Sequence, residues 1–158
     1  MKAMIVYDSF FGNTEKIAAA IAEGLGSAPD VTVARVGDVQ PAQLQGLALL
    51  VVGSPTRAFR PSPATLTFLT GLAEGSLAGT LVAAFDTRSA PEKTPGFLKF
   101  LMRIFGYAAK PIGDRLAAKG GRLAAAPEGF AVLGSEGPLK DGEVERATAW
   151  GKTLAAAR

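Results

Sequence analysis

The chain has 158 residues, and its 17 lysines and arginines against 14 aspartates and glutamates give a formal net charge of +3. It contains no cysteine and no histidine, which excludes disulfides, thiolate catalysis, His-based acid–base catalysis and His-ligated metal sites. A demanding reaction therefore needs a cofactor or carboxylate, Lys or Tyr groups, and a redox cofactor fits best. The length favours a single domain over residues 1–158.

The positive charges are scattered along the chain, and no zinc-finger, RNP or basic-zipper pattern accompanies them. Nucleic acid is therefore not an expected partner. The first apolar run ends at Asp8, too early for a secretory signal, and no segment approaches the length needed to cross a bilayer. We expect no transmembrane segment and a cytoplasmic location, with which the lack of cysteine is compatible.

Apolar runs alternate with helical patterns along the chain. In chain order the predicted elements are a strand at 2–7, a helix at 14–25, strands at 31–36 and 47–53, a helix at 63–72, a strand at 80–85, a helix within 97–107, a fifth strand at 121–126 and 129–133, and a helix at 141–157. The fifth strand is either continuous or split at Pro127. The run 47–53 is apolar on both faces, which is typical of a parallel sheet covered by helices on both sides. The sequence therefore predicts an α/β fold, a three-layer domain with a five-stranded parallel sheet.

Residues 97–107 are the most hydrophobic stretch outside the strands. One helical face carries the apolar side chains Phe97, Leu98, Leu101, Ile104 and Phe105. That spacing is usual for a core-facing helix, so we interpret the segment as the fourth helix covering the sheet. The charges of Lys99 and Arg103 would also suit a helix in weak contact with a membrane surface, and this alternative stays open. Phe100 and Met102 lie off the main stripe and could form a docking patch.

The most specific functional signal is the loop after the first strand, Ser9-Phe10-Phe11-Gly12-Asn13-Thr14. A strand that turns directly into a helix points the unpaired N–H groups of the first helical turn, and the positive end of the helix dipole, into the turn. Ser9 and Thr14 add hydroxyl donors, Gly12 permits close approach of a ligand, and Asn13 can hold the turn. These features predict a phosphate site. An ordinary turn capped by a threonine is the alternative.

The loop differs from two well-known phosphate loops, because neither G-x-G-x-x-G nor G-x-x-x-x-G-K-[ST] is present. The pattern Ser9-x-x-Gly12-Asn13-Thr14 resembles the FMN-phosphate loop of the flavodoxin family, usually written T/S-x-T-G-N-T. Phe11 replaces the hydroxyl of the third position, so one side-chain donor is missing, although the backbone N–H of Phe11 can still contribute. The resemblance implies FMN as cofactor and a flavodoxin-like sheet with strand order 2-1-3-4-5.

Ligands of such sheets bind at the carboxyl ends of the strands, so the loops after the third and fourth strands are the next candidates. The first of these also resembles the flavodoxin family, whose loop begins S/T-P-T and contains an aromatic residue. The resemblance implies that Ser54, Pro55 and Thr56 line the ribityl chain. It further implies that Phe59 flanks the flavin ring and that Arg57 reaches the flavin edge or a substrate. Alternatively, Phe59 packs into the core.

The loop after the fourth strand departs from the family, which often has a tyrosine there. Asp86 and Thr87 could hydrogen-bond the pyrimidine edge of the flavin, and Arg88 could stabilise a reduced, anionic flavin. Equally, Asp86 could cap the following segment while Arg88 lies in solvent.

The resemblance implies an FMN-binding electron-transfer protein that binds a redox partner protein, and the basic charge balance suggests an acidic partner. We favour this non-catalytic carrier over two alternatives. The first is an FMN-dependent NAD(P)H or quinone reductase, for which the missing tyrosine would leave one flavin face open. The second is a binding module that has lost FMN, and the reason to consider it is that Phe11 replaces a hydroxyl residue of the family pattern. A phospho-receiver domain is set aside, because it needs paired acids after the first strand and Asp8 stands alone.

Overall fold

The computed structural model describes residues 1–26, 30–90 and 95–157, apart from the side chains of Ile104 and Phe105. The strands are β1 (Ala3–Tyr7), β2 (Val31–Arg35), β3 (Leu49–Pro55), β4 (Leu81–Ser89), β5 (Arg122–Leu123) and β6 (Glu128–Val132). The helices are α1 (Asn13–Leu25), α2 (Pro63–Gly71), α3 (Gly96–Phe105), α4 (Ala109–Ala118) and α5 (Glu143–Ala155). Two short 3₁₀ turns, Val36–Asp38 and Pro41–Leu44, connect β2 to β3.

The strands form one sheet in the order β2-β1-β3-β4-β5, and every pairing between them is parallel. The predicted α/β fold with strand order 2-1-3-4-5 is therefore confirmed. β5 and β6 both pair with β4, β5 opposite its start and β6 opposite Phe85–Ser89. Pro127 lies between them, where it interrupts no strand pairing. The fifth strand is thus split, which is one of the two forms the sequence left open.

Helices cover both faces of the sheet because its central strands bury side chains in both directions. On one face, α1 and α5 pack against the strands through residues that include Ile17, Ile21, Leu154, Ile5, Val51 and Phe85. On the other face, α2 and α4 pack through residues that include Leu69, Ile112, Leu116, Met4, Leu50 and Val52. A Cβ on Gly24 of α1 would collide with the backbone of α5, so the glycine permits the close approach of these two helices. This packing fixes the position of α1, whose amino end faces the carboxyl edge of the sheet.

The helix that covers the sheet after β4 is α4, and the interpretation of residues 97–107 as that helix is wrong. α4 buries Ile112 and Leu116, and its Pro111 lies in the first turn, where proline is tolerated. α3 is an additional helix between β4 and α4. Phe97 is exposed and Met102 is buried, the reverse of the predicted arrangement, because α3 packs through a different side of the helix.

β4 is longer than predicted, since its pairing with β6 continues to Ser89. Asp86, Thr87 and Arg88 are therefore strand residues and do not form a free loop. Among the described helices, none is long and apolar enough to cross a membrane.

Candidate functional site

A cleft of about 260 Å³ lies at the carboxyl edge of the sheet, where the segments after β1, β3 and β6 meet the end of β4. Its lining consists of Ser9, Phe10, Phe11, Asn13, Thr14, Pro55, Thr56, Arg57, Ala58, Thr87, Arg88, Ser89, Val132, Gly134 and Ser135. The cleft thus brings together ten of the fourteen predicted site residues. The four outside its lining are Gly12, Ser54, Phe59 and Asp86. A larger cavity of about 840 Å³ lies at the opposite edge of the sheet, but no charged residue lines it.

The loop between β1 and α1 presents unpaired backbone donors. Within the described residues, five N–H groups have no hydrogen-bond acceptor, those of Phe10, Phe11, Asn13, Thr14 and Glu15. The residue at the helix start is Gly12, with a left-handed φ of 90°, and no side chain caps the helix. The alternative of a turn capped by a threonine therefore does not describe this helix start. Unpaired N–H groups at a helix amino terminus are a binding site for an anion.

Two hydroxyl groups accompany these backbone donors. The Ser9 hydroxyl oxygen accepts a hydrogen bond from the Gly12 N–H at 3.0 Å, so its own hydrogen remains available to a ligand. The Thr14 and Thr87 hydroxyls are hydrogen-bonded to each other at 2.8 Å and are almost fully buried. This contact ties the loop after β1 to the end of β4.

The Asn13 side chain connects the loop to the segment after β6, which the sequence interpretation did not include. Its Nδ2 donates to the carbonyl oxygen of Glu136 at 3.0 Å. A Cβ on Gly137 would lie 3.0 Å from the Asn13 amide, and Gly137 has a φ of 119°. Any other residue at this position would therefore be both crowded by Asn13 and strained in its backbone. The sequence signal that could have indicated this segment is its pair of glycines, Gly134 and Gly137, directly after the fifth strand.

Arg35, at the end of β2, is a second residue that the sequence interpretation missed. Its Nη1 donates to the carbonyl oxygen of Ser9 at 2.8 Å and lies 3.5 Å from the carboxylate of Asp8. The guanidinium also lies over the ring of Tyr7, 5.3 Å from its centroid. Arg35 therefore orients the start of the loop from a neighbouring strand, and only its place at a predicted strand end could have indicated it.

The last residue of β3 and the first residues after it contribute to the cleft. Pro55, Thr56 and Arg57 line it, and the Arg57 guanidinium lies 5.0 Å from the centroid of the Phe10 ring. Thr56 is hydrogen-bonded to two other segments. Its N–H donates to the Thr87 carbonyl oxygen of β4, and its hydroxyl accepts from the N–H of Ala108, just before α4. Phe10 and Phe11 are about half exposed and supply the aromatic surface of the cleft.

Ser54 and Phe59 do not line the cleft. Ser54 is fully buried, and its hydroxyl accepts a hydrogen bond from the Ser62 N–H at 2.8 Å and thereby braces the segment. Phe59 belongs to a tight turn in which both Ala58 and Phe59 have positive φ, 47° and 68°. This turn places Phe59 in a separate pocket next to Pro111, so the structure does not bring it to the cleft.

Asp86, which is buried, forms an ion pair with Arg88, which is partly buried and lines the cleft. Two Arg88 nitrogens donate to the two carboxylate oxygens of Asp86 at 2.7 Å each, and the Ala109 N–H donates to the same carboxylate at 2.9 Å. Burial raises the pKa of Asp86, while the bonds from Arg88 act in the opposite direction. Arg88 is also stacked on Tyr107, 3.6 Å from the ring centroid. The pair therefore anchors the start of α4, and its charges largely neutralise each other.

Comparisons with known proteins agree with this architecture. The family model for Flavodoxin matches residues 5–150 of the chain. The structure is similar to oxidised flavodoxin 1 from Bacillus cereus, with 19% identity and a TM-score of 0.75 over 98% of this chain and 97% of that one. Flavodoxin 2 from the same organism gives 21% identity and a TM-score of 0.75 over 98% of each chain.

A third similar structure belongs to a longer protein. Rubredoxin oxygen:oxidoreductase from Desulfovibrio gigas matches with 19% identity and a TM-score of 0.73 over 97% of this chain, but only 35% of that chain. No curated protein sequence matches the chain.

Proposed function

Because the chain belongs to the flavodoxin family, we propose that the cleft at the carboxyl edge of its sheet binds FMN and that the protein is an electron carrier. The observation that carries the proposal is the group of five unpaired N–H donors between Phe10 and Glu15, next to the Ser9 hydroxyl. A terminal phosphate is the part of FMN that such a site recognises. The missing third hydroxyl at Phe11 removes one donor, but the backbone N–H of Phe11 is among the unpaired donors of the loop.

The remaining lining suits the rest of the cofactor. Thr56 and Thr87 offer polar atoms for the ribityl hydroxyls, and the rings of Phe10 and Phe11 offer an apolar surface for a flat ring system. The volume of about 260 Å³ lies just below the usual range of about 300–1,000 Å³ for ligand pockets. It therefore suits the phosphate and ribityl chain better than the whole molecule.

FMN, when bound, supplies one-electron and two-electron redox chemistry. The chain's own contribution is to bind and orient the cofactor. None of the described residues that line the cleft is a carboxylate, a lysine or a tyrosine, so none of these side chains can serve as a general base for a substrate. This composition favours a carrier over an enzyme. We further propose a cytoplasmic location, with which the absence of cysteine is compatible. We also propose a redox partner with an acidic surface, because Arg57 and Arg60 are exposed beside the cleft.

A reductase of NAD(P)H or quinones is the second candidate. The observation that favours it is the position of Tyr107, which stacks on the Arg88 guanidinium and is not among the residues that line the cleft. A flavin face without a covering tyrosine would accept a second flat molecule. Arg57, exposed at the cleft, would then meet an anionic substrate.

The experiment that tests FMN binding is reconstitution. Purified protein is mixed with excess FMN, passed through a desalting column, and examined by visible absorption. We expect equimolar retention of FMN, with flavin bands shifted from those of the free cofactor. A chain that is folded by circular dichroism but retains no flavin would contradict the proposal and support a binding module without FMN.

A further inference from the structure

The outward side of α3 combines aromatic and basic side chains that the proposed cofactor site does not use. Phe97 is 75% exposed and Phe100 is 58% exposed. Lys99 and Arg103 are also exposed, and within the described part of the chain neither forms an ion pair. Successive helical residues are turned by about 100°, which places all four side chains on one broad side of the helix.

The other side of α3 is the one that packs. Met102 is buried, and Leu98 and Leu101 are partly buried. The helix therefore already has an apolar side in contact with the protein. Phe97 and Phe100 add a second apolar surface that no described residue covers, and this surface lies next to two cations.

The position of α3 adds to this observation. The exposed phenylalanines of the described chain, Phe10, Phe11, Phe97 and Phe100, all lie on segments that leave the carboxyl edge of the sheet. The exposed cations Arg57 and Arg60 follow β3 at the same edge.

Among the described residues at this part of the edge, negative charge is largely neutralised. Asp86 is buried and paired with Arg88. Asp8 is buried and lies 3.5 Å from Arg35. Glu136, on the segment after β6, is exposed. The described surface that follows β3 and β4 at the carboxyl edge is therefore both aromatic and basic.

We propose that α3 binds the protein to the surface of an anionic lipid bilayer, with Phe97 and Phe100 inserted at the interface and Lys99 and Arg103 facing the headgroups. Interfacial binding strength comes from two terms, the apolar area buried at the headgroup boundary and the attraction of Lys and Arg to anionic lipids, and this side of α3 offers both. A helix of ten residues is about 15 Å long, so α3 by itself is too small to provide the roughly 800 Å² that a stable protein interface buries on each partner. A lipid surface needs no such matching area. This binding goes beyond the proposed cofactor function and does not require FMN.

Co-sedimentation with lipid vesicles tests the proposal. The full chain is mixed with vesicles of phosphatidylcholine alone or of phosphatidylcholine with phosphatidylglycerol, at low and high salt. We expect binding to the anionic vesicles, weak binding to phosphatidylcholine, and loss of binding as salt rises. Failure to bind the anionic vesicles, or equal binding to both kinds, would overturn the proposal.

Two double variants locate the contact. K99Q/R103Q removes two cations and should lower the affinity about 25-fold, since each cation near an anionic surface contributes about five-fold. F97S/F100S should lower it about ten-fold or more through lost apolar burial. The matched control V144S/K152E changes an exposed apolar residue and an exposed lysine on α5 and should bind as the wild type does. Wild-type binding by both test variants would show that α3 is not the contact.

Fluorescence provides an independent measurement. The chain has a single tryptophan, Trp150, which packs against Phe85 and Phe130. In F97W, anionic vesicles should shift the added emission to shorter wavelength, while the wild-type emission should stay constant. An unshifted F97W emission in the presence of vesicles would contradict insertion. If the same variants instead lost affinity only for an acidic protein, α3 would be a protein-binding helix and the lipid proposal would fail.

Discussion

Asn13 and Thr14 are adjacent and nearly buried, but they contact different parts of the molecule. The Asn13 amide donates to the carbonyl oxygen of Glu136, whereas the Thr14 hydroxyl is paired with that of Thr87. A hydroxyl can both donate and accept, so Thr14 can turn its hydrogen to a phosphate while still accepting from Thr87. One N–H of the Asn13 amide holds the segment after β6 through Glu136, so the main role of this side chain is to position that segment.

This difference predicts different effects of two substitutions. Thr14→Ala should weaken FMN binding by about 1.5–3 kcal/mol, the usual value of a hydrogen bond to a charged oxygen. Asn13→Ala should mainly lower the stability of the protein without ligand, because it releases the segment after β6. Titration with FMN and thermal unfolding separate the two effects. Thr153→Ala, on the exposed side of α5, is the control, and unchanged FMN affinity in both loop variants would show that the loop is only structural.

Gly12 provides a test of the backbone. Its φ is 90° and a Cβ there would meet nothing within 4 Å, so Gly12→Ala introduces strain of about 1–2 kcal/mol but no collision with the protein. Gly75 has a φ of 73° and is equally free of neighbours, so Gly75→Ala is a matched control. Both variants should lose similar stability in urea unfolding, but only Gly12→Ala should lose FMN affinity. Equal affinities would place the ligand away from Gly12.

The unpaired donors of the loop after β1 were predictable because their placement depends on consecutive residues. A strand, a glycine and a helix start place five N–H donors together without help from distant parts of the chain. Arg35 and Tyr107 were not predictable in this way. Each acts through a contact with a strand or segment distant in sequence, Ser9 and Arg88 respectively, and nothing in their immediate sequence indicates the partner.

At the scale of elements, α5 holds β6 in place beside the cleft. Glu143, in the first turn of α5, accepts a hydrogen bond from the Ala131 N–H at 2.6 Å and is paired with Arg146. Arg146 also donates to the carbonyl oxygen of Gly129 and pairs with Glu128. Burial raises the pKa of Glu143, but the bonds from Arg146 and Ala131 outweigh burial and lower it. The ionised carboxylate is therefore the stabilising form.

Glu143→Gln should lower the free energy of unfolding by about 1.5–3 kcal/mol at pH 7. The pKa of Glu143 is lower in the folded protein than in the unfolded chain, where it is about 4.3. The stabilisation by the ionised carboxylate is therefore complete above about pH 4.3 and is lost as the pH falls through the pKa of the folded state. The difference between wild type and variant should therefore be constant from pH 7 to about pH 5 and shrink below about pH 4. Denaturant unfolding across this range measures it. Glu145→Gln, at an exposed position in the same turn, should cost far less, and a pH-independent difference would contradict the assignment.

The order of the elements was predictable, but the role of one helix was not. The run 47–53, apolar on both faces, identified β3 as a central strand, since a parallel sheet covered by helices on both faces leaves few polar positions in its centre. Residues 97–107 have the periodicity of an amphipathic helix, and periodicity does not tell which surface the helix contacts. Pro111 lies in the first turn of α4, where proline is tolerated, so the helix that covers the sheet begins after Gly106. The extension of β4 depends on its pairing with β6, which no local signal contains.

At the scale of the whole molecule, the proposed carrier is distinguished from a reductase by turnover. Chemically reduced protein should pass electrons rapidly to a one-electron acceptor and should oxidise NADH and NADPH at a negligible steady-state rate. The reason is that Arg57 is the single cation without an ion pair in the described lining of the cleft, so nothing there resembles a site for a nicotinamide phosphate. Stopped-flow and steady-state absorption measure the two rates. Rapid NAD(P)H turnover with a quinone would establish the reductase instead.

The charge of the molecule predicts how that transfer depends on salt. With a formal charge of +3 and exposed arginines beside the cleft, electron transfer to an acidic partner should slow as salt rises. Exposed charges are screened beyond a Debye length of about 10 Å at 0.1 M. The control acceptor is a small neutral molecule, whose rate should not change. A rate to the acidic partner that is indifferent to salt would contradict electrostatic docking.

The most direct test of the central claim compares FMN with riboflavin, which differ only in the phosphate. Thermal unfolding is followed with each ligand at equal concentration. A ligand present at a hundred times its Kd adds about 2.7 kcal/mol to stability, or roughly 5–10 °C in Tm for a domain of this size. We predict such a shift for FMN and little or none for riboflavin, because the unpaired donors of the loop after β1 recognise the phosphate. Equal shifts for the two ligands would contradict the account.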